Sequence, residues 1–422
     1  TEINEDGTPW GPGKKYPRMN SRILFGFSVA YMLSGDDKYL KYAAHAMQYL
    51  SEYGYDRKFG GWHIYTDENN EPDTGEKNLF DQTYGNLGPV IYFMATGNKE
   101  ALSLVSATHK LMREKAWDKK YGGYYASVSA DWSPATTFKS FNSQIDTFTA
   151  YLIYYYLATR EPGPLSDLKK LADVTVKHMV DPSTGFVGER FAQDWKWTEP
   201  TLWAGHNLKT GWVLGRMYFL TGDKRYLETA QKIGKAQIKH TWDDKYGGWF
   251  FRFESGNPEN PDTDKDWWTQ EEGNMLMLSL YRASPKKDYL EKFRLASEFW
   301  DRHFMDRKHG ECWQALDRDG TIKRRVKGDL YKSAYHTMEQ AFFSYLYLSL
   351  YVNGSDAELY YSFSPETEGT KHYVKPVEDP GIIIKSVEVN GKQHDDFSAN
   401  EGFITLPAGT GLKVKVVFAA KP

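Results

Sequence analysis

The stretch "YDRKFGGWHIY" at residues 55–65 recurs as "WDKKYGGYYAS" at 117–127 and "WDDKYGGWFFR" at 242–252. Weaker copies are "MDRKHGECWQA" at 305–315 and "VDPSTGFVGER" at 180–190. Aligned on Gly61, Gly123, Gly185, Gly248 and Gly310, the copies stand 62, 62, 63 and 62 residues apart. So constant a period marks a repeat architecture, in which each unit buries its apolar face against its neighbours. The signature itself reads as structural: glycine permits a sharp reversal, and the aromatic residue packs beneath it.

Each period carries two stretches with apolar spacing near 3.6 residues, such as "SRILFGFSVAYML" followed by "DDKYLKYAAHAMQYL". The joints "LSGDDKYL" and "LTGDKRYL" read as a glycine stop followed by an aspartate cap. Stacked helix pairs predict an all-α fold, an (α/α)6 barrel with one helix of each pair lining the inside. Eleven helices are expected, the last in "YKSAYHTMEQAFFSYLYLSLY". The opening "TEINEDGTPWGPGKKYP" resembles the loop after a repeat's glycines, so a first helix lost upstream of Thr1 by truncation or processing is expected, an intrinsically incomplete ring being the alternative. Beyond Gly354, "GIIIKSVEVNGKQHDDF" and "GFITLPAGTGLKVKVVF" alternate apolar and polar residues around an Asn-Gly turn, the pattern of antiparallel strands. The expected division is a barrel over 1–354 and a small β-sandwich-like domain over 355–422.

With 422 residues, 40% hydrophobic, and a net charge of −3 without long Lys/Arg runs, the chain has ample core and no feature of a nucleic-acid or anionic-membrane binder. Small neutral ligands fit better. The single cysteine, Cys312, excludes a disulfide framework within the chain and a thiolate metal cluster. No apolar run approaches the roughly 18 residues of a membrane span. An appended β domain and a processed-looking start suit a periplasmic or secreted setting, with the cytoplasm as the alternative. A monomer or homodimer is expected.

The inner helices open with "RMNSRILFGF", "NLFDQTYGN", "KSFNSQIDTF", "LWAGHNLKTGW", "DWWTQEEGNM" and "LYKSAYHTMEQ". Taking Arg22, Asp81, Asn142, His206, Gln270 and His336 as equivalents gives steps of 59, 61, 64, 64 and 66, so these residues are expected to converge in one cavity. Trp203, Trp268 and Tyr331 offer flat faces to sugar C–H groups, while amides, carboxylates and a guanidinium offer partners to hydroxyls. Each residue also has a plain reading. Asp81 can be a helix cap, the Trp267–Trp268 pair can be core packing, and a helical histidine can be a satisfied core residue.

Five of these openings, all but "KSFNSQIDTF", resemble the N-acylglucosamine 2-epimerase superfamily, which includes cellobiose 2-epimerases and aldose–ketose isomerases. The resemblance runs from about Gly7 to Tyr351 and implies an (α/α)6 barrel, no metal or other cofactor, and a free, unphosphorylated mono- or oligosaccharide substrate. It further implies that His206 and His336 act as general acid and base at C2 through a cis-enediolate, with Arg22 polarising the substrate oxygens. Asp81, Asn142, Asp146, Trp203, Lys209, Trp268, Gln270, Glu272 and Tyr331 complete the expected substrate-binding set. The chain departs from the family pattern at three places. Lys209 stands where His-x-x-Glu is usual, Asn142-x-Gln144-x-Asp146 where Asn-x-His-x-His is usual, and Tyr331 where a Trp precedes the second histidine.

At the N-terminus of its helix, His206 is expected to be neutral and able to accept a proton, which His336 returns. Lys209 would depress the His206 pKa further if the two side chains met. Two competing readings remain at this point. One is a glycoside hydrolase or polysaccharide lyase using Asp81, Asp146, Glu272 or Glu339; the other is a non-catalytic glycan-binding protein.

Overall fold

The structure, a computed structural model, describes residues 2–11 and 13–421. Its helices are α1 (Pro17–Ser34), α2 (Asp37–Tyr49), α3 (Leu79–Thr96), α4 (Lys99–Leu111), α5 (Ile153–Thr159), α6 (Pro162–Val174), α7 (Ala204–Thr221), α8 (Lys224–His240), α9 (Trp267–Ala283), α10 (Lys287–Phe299) and α11 (Tyr335–Tyr347). The π-helical stretch Asn142–Leu152 runs directly into α5 and lengthens it at its start. Among the described residues the helix count matches the eleven expected.

Odd-numbered helices pack in a cycle: α1 on α3, α3 on the π extension of α5, that extension on α7, α7 on α9, α9 on α11, and α11 back on α1. Each even-numbered helix packs outside its odd-numbered predecessor. Burial separates the two sets. Nearly every residue of α3 is buried, whereas α4 buries only Ala101, Leu104, Val105, Thr108 and His109.

The joints form as their residues dictate. Gly35 and Gly222 end α1 and α7 at φ 68° and 74°, a left-handed conformation that a Cβ disfavours. Asp36 and Asp223 then cap α2 and α8 by accepting from the amides of Lys38 and Arg225.

Two devices hold the repeated loops, both in the copies at 55–65, 117–127 and 242–252 and one each in the other two. Asp56, Asp118, Asp243 and Asp306 accept amide hydrogens from their own turns, and each pairs with a buried lysine that precedes the next inner helix: Lys77, Lys139, Lys265 and Lys327. In addition, an inner-helix amide clamps the backbone just after the second glycine. Gln82 bonds both N and O of Trp62, Gln144 those of Tyr124, and Gln270 those of Trp249, while Asn207 accepts from the Val187 amide. A Cβ on Gly61 would stand 2.5 Å from the Gln82 amide oxygen, and one on Gly248 2.6 Å from that of Gln270. The second glycine is therefore required both by its positive φ and by the clamp.

The clamps correct the register read from sequence. Gln270 matches Gln82, Gln144 and Asn207, so the positions equivalent to His206 are Asp81, Ser143 and Thr269, each one residue before a clamp. Asn142 and Gln270 were aligned one residue off.

C-terminal strands form a four-stranded antiparallel sheet in the order Ala357–Phe363, Leu412–Ala420, Ile382–Val389, Lys392–His394, and a three-stranded sheet of Thr370–Tyr373, Phe403–Leu406 and Phe397–Ser398. Asn390 and Gly391 both take positive φ, as a tight hairpin turn demands. These strands pack at the C-terminal ends of α1 and α3, where Gly35 meets Tyr360 and Gly97 meets Phe363 and His372. Buried Arg216–Glu378 and part-buried Arg282–Asp379 ion pairs tie them to α7 and α9. The helix openings at the other end are left free.

Candidate active site

The openings of the inner helices surround a cavity of about 520 Å³. Arg22, Asn142, Asp146, Lys209, His206 and His336 line it, with the aromatic faces of Trp203, Trp268 and Tyr331. These nine were expected together from the sequence, and they line one cavity. Three others lie elsewhere. Asp81 is fully buried behind the wall, paired with Arg18 at 2.5 Å, and the cap of α3 is Asn78. Gln270 is a backbone clamp, and Glu272 lies wholly buried beneath the cavity.

His206 sits in the first turn of α7, delivered there by the strand Thr201–Trp203, which pairs with Arg252–Glu254. Its ring stacks on Phe141 at 3.8 Å and 12°. Nδ1 lies 2.7 Å from Oε2 of Glu189, whose other oxygen accepts the Trp203 amide. The carboxylate selects the Nδ1–H tautomer and leaves Nε2 as the exchangeable nitrogen. Glu189 escaped the sequence reading because it lies in the most degraded repeat copy, 17 residues upstream. Its one signal is its place two residues beyond the clamped Val187.

Lys209 does not meet His206. Its ammonium donates to Asp146 Oδ1 at 2.8 Å and to the Tyr84 hydroxyl at 3.0 Å, and lies 3.7 Å from Glu272 Oε1. Burial opposes the charge, but Asp146, followed by Tyr84 and Glu272, holds the lysine pKa well above its ordinary value. Burial likewise opposes ionisation of Asp146, and Lys209 overcomes it, so the pair stands charged.

His336, in the first turn of α11, turns Nδ1 toward Glu272 Oε1 at 3.3 Å. Burial, then the charges of Lys209 and Arg22, push its pKa well below the usual imidazole value, so the ring is neutral. Trp268 stands between the histidines, 5.2 Å from His206 and 6.0 Å from His336 by ring centroids. Arg22 donates to the Tyr331 carbonyl and lies 3.9 Å over the Tyr84 ring.

Behind His336, Glu272 accepts from Trp212 Nε1 at 2.5 Å, and Glu339 accepts from the Tyr154 hydroxyl at 3.3 Å. Burial pushes Glu272 up to about 6 and Glu339 up to about 7, the Glu272 charge adding to the rise at Glu339. One atom each of Glu272, His336 and Glu339 lie within 4.8 Å of one another, a set able to hold a cation. The Lys209 ammonium already supplies a positive charge at that point, which favours protons over a divalent ion as the shared partner.

The family described as N-acylglucosamine 2-epimerase (GlcNAc 2-epimerase) matches residues 1–340. A cellobiose 2-epimerase of Bacteroides fragilis is 25% identical over 333 residues, covering 75% of this chain and 84% of that protein. A D-mannose isomerase of Marinomonas mediterranea is 25% identical over 358 residues, covering 80% and 88%. In fold, the solved cellobiose 2-epimerase of Bacillus thermoamylovorans B4167 is similar at a TM-score of 0.76 and 20% identity, over 81% of this chain and 90% of that one. A match that runs from the first residue into α11, beneath a cavity flanked by two carboxylate-supported histidines, places the chain in the N-acylglucosamine 2-epimerase family.

Proposed function

We propose that the protein is a sugar 2-epimerase or aldose–ketose isomerase acting on a free mono- or oligosaccharide by proton transfer at C2. The supporting observation is the pair of imidazoles on either side of Trp268, each with Nδ1 toward a carboxylate and Nε2 left to exchange a proton. A proton beside a carbonyl is weakly acidic, and a positioned neutral base contributes about 10²–10⁴-fold to its removal. His336 is the base of this reading, because its surroundings keep it neutral. His206 delivers a proton to the opposite face of C2 for epimerisation, or to C1 for isomerisation. Arg22 stands by the developing enediolate oxygens.

The roles expected for the histidines are thus exchanged. Helix position alone pointed to His206 as the base, and the burial of His336 outweighs it. Two departures from the family pattern also answer each other: Lys209 and Asp146 form one buried ion pair.

Of the carboxylates that hydrolysis would need, Asp146 is committed to Lys209 and Asn142 and Asp81 to Arg18, while Glu272 and Glu339 are wholly buried behind His336. We read the helical cycle, six inner and five outer helices among the described residues, as an (α/α)6 barrel over 1–354, with 355–422 as a separate β domain. Incubation with D-mannose and with cellobiose in deuterated water tests the activity. Deuterium at C2 of either aldose, or at C1 of a ketose formed from it, is expected. Its absence from both, with sugar binding retained, would leave a glycan-binding protein.

A further inference from the structure

The α9 side of the cavity carries a polar surface that the two histidines do not use. Lys265–Asp266 runs antiparallel to Ala315–Leu316, and the Trp267 amide donates to the Gln314 carbonyl at 3.0 Å, so Asp266, Trp267 and Gln314 are neighbours. All three line the cavity, and each is more than nine-tenths buried. Asp266 Oδ1, Trp267 Nε1 and Gln314 Oε1 each lack a hydrogen-bond partner among the described residues. Three such atoms on neighbouring residues of one cavity wall point to a shared partner.

Asp266 is the clearest case. It occupies the N-cap of α9, where aspartate ordinarily accepts from the first turn, yet its side chain makes no capping bond. Gln314 is held by its amide nitrogen, which donates to Asp329 Oδ2 at 2.8 Å and so leaves the amide oxygen free. Arg324 and Tyr331, both exposed, line the same cavity.

We propose that Asp266, Trp267 and Gln314 form a hydroxyl-binding subsite that takes neighbouring sugar hydroxyls remote from the reacting C1–C2 unit. A buried carboxyl, an amide oxygen and an indole N–H side by side match groups that each donate and accept. The inference rests on the sugar reading above. The hydroxyls belong either to the far end of a monosaccharide or to a second ring of a disaccharide, and two probes separate these sources.

The experiment measures kcat, KM and calorimetric affinity for D-mannose and cellobiose with wild type, Asp266→Asn, Gln314→Leu and Trp267→Phe. Trp267→Phe removes the N–H while keeping an aromatic ring in the core, which guards against a variant that merely fails to fold. About a tenfold rise in KM and Kd is expected for each variant, with kcat within about twofold, as for the loss of one hydrogen bond in binding. A rise for both sugars assigns the subsite to the monosaccharide tail; a rise confined to cellobiose assigns it to the second ring. Folded variants whose affinity for both sugars stays within twofold of wild type overturn the subsite, as does a loss carried by kcat alone. Wild type that places no deuterium at C2 of the aldose or C1 of a ketose product instead overturns the functional reading, whatever the variants do.

Discussion

At His206 the supporting carboxylate comes from a loop, and the side chain keeps 18% of its exposure; at His336 it comes from the neighbouring inner helix, and the carboxylate is wholly buried. A carboxylate faces Nδ1 in both, hydrogen-bonded at 2.7 Å at His206 and approaching to 3.3 Å without hydrogen-bond geometry at His336. Depth differs as well. Around His336 there are two further buried groups with displaced pKa values, Glu272 and Glu339, and the Lys209 ammonium; around His206 there are an aromatic stack and the solvent-facing side of the cavity. Burial disfavours charge, so the deep histidine is held neutral and its two glutamates are held near the pH at which they exchange protons. One chemical pairing placed at two dielectric depths thereby yields two different proton carriers.

Removing either imidazole gives the largest effect. His336→Ala and His206→Ala are each expected to lower kcat for C2 exchange by about 10²–10⁴-fold, the usual worth of a positioned acid or base. Single-turnover exchange in deuterated water checks this. A variant that retains more than a tenth of the wild-type rate removes its histidine from the mechanism and ends the comparison.

Next comes the ion pair between the two histidine regions. Lys209→Met leaves Asp146 and Glu272 buried without their cation, an error worth about 3–5 kcal/mol of stability. Denaturant unfolding of Lys209→Met, Asp146→Asn and the double variant should show that the second change costs little once the first is made, because the two share one interaction. Additive losses would mean that the side chains act independently.

Much of this framework is legible in the chain. The 62-residue period, the Gly-Asp joints and the strand alternation after Gly354 each express a local rule, and the structure follows all three. The site was legible where position in the repeat carried the signal, as for His206, His336 and Arg22. It was not legible where partners come from distant turns. Glu189 supports His206 across 17 residues from a repeat copy whose glycines have largely eroded, and no local pattern marks it. Lys209 misled for a related reason: helical spacing set it near His206, whereas the stronger electrostatic partner, Asp146, lies on another helix. Gln270 misled because a glutamine that clamps backbone looks, in sequence, like one that binds sugar hydroxyls.

Glu339 offers a smaller, pH-dependent test of the deep region. Its carboxyl rises from 4.5 to about 7 on folding, so between those values the folded protein holds a proton that the unfolded chain has lost. Stability from this group is therefore present at low pH and lost as pH rises toward 7, by roughly 3 kcal/mol at most. Glu339→Gln keeps the shape and removes the ionisation. Thermal unfolding should find the variant and wild type close at pH 5 and the variant more stable at pH 8. Parallel curves across that range would show that Glu339 does not titrate there, and the contrast in depth would then rest on Glu272 alone.

The smallest expected effect is at Glu189. Glu189→Gln keeps an oxygen able to accept from His206 Nδ1–H, so the tautomer and the stack on Phe141 persist while the negative charge is lost. Near solvent, such a charge is partly replaced by water, and kcat should fall about tenfold, or roughly 1.4 kcal/mol of barrier. Glu272→Gln makes the same change where water cannot compensate, and it should cost more. Measured side by side under one set of conditions, the two rates decide whether depth separates the histidines. Equal losses would make burial irrelevant to their division of labour, whereas a larger loss at Glu272 assigns the charge-sensitive step to His336.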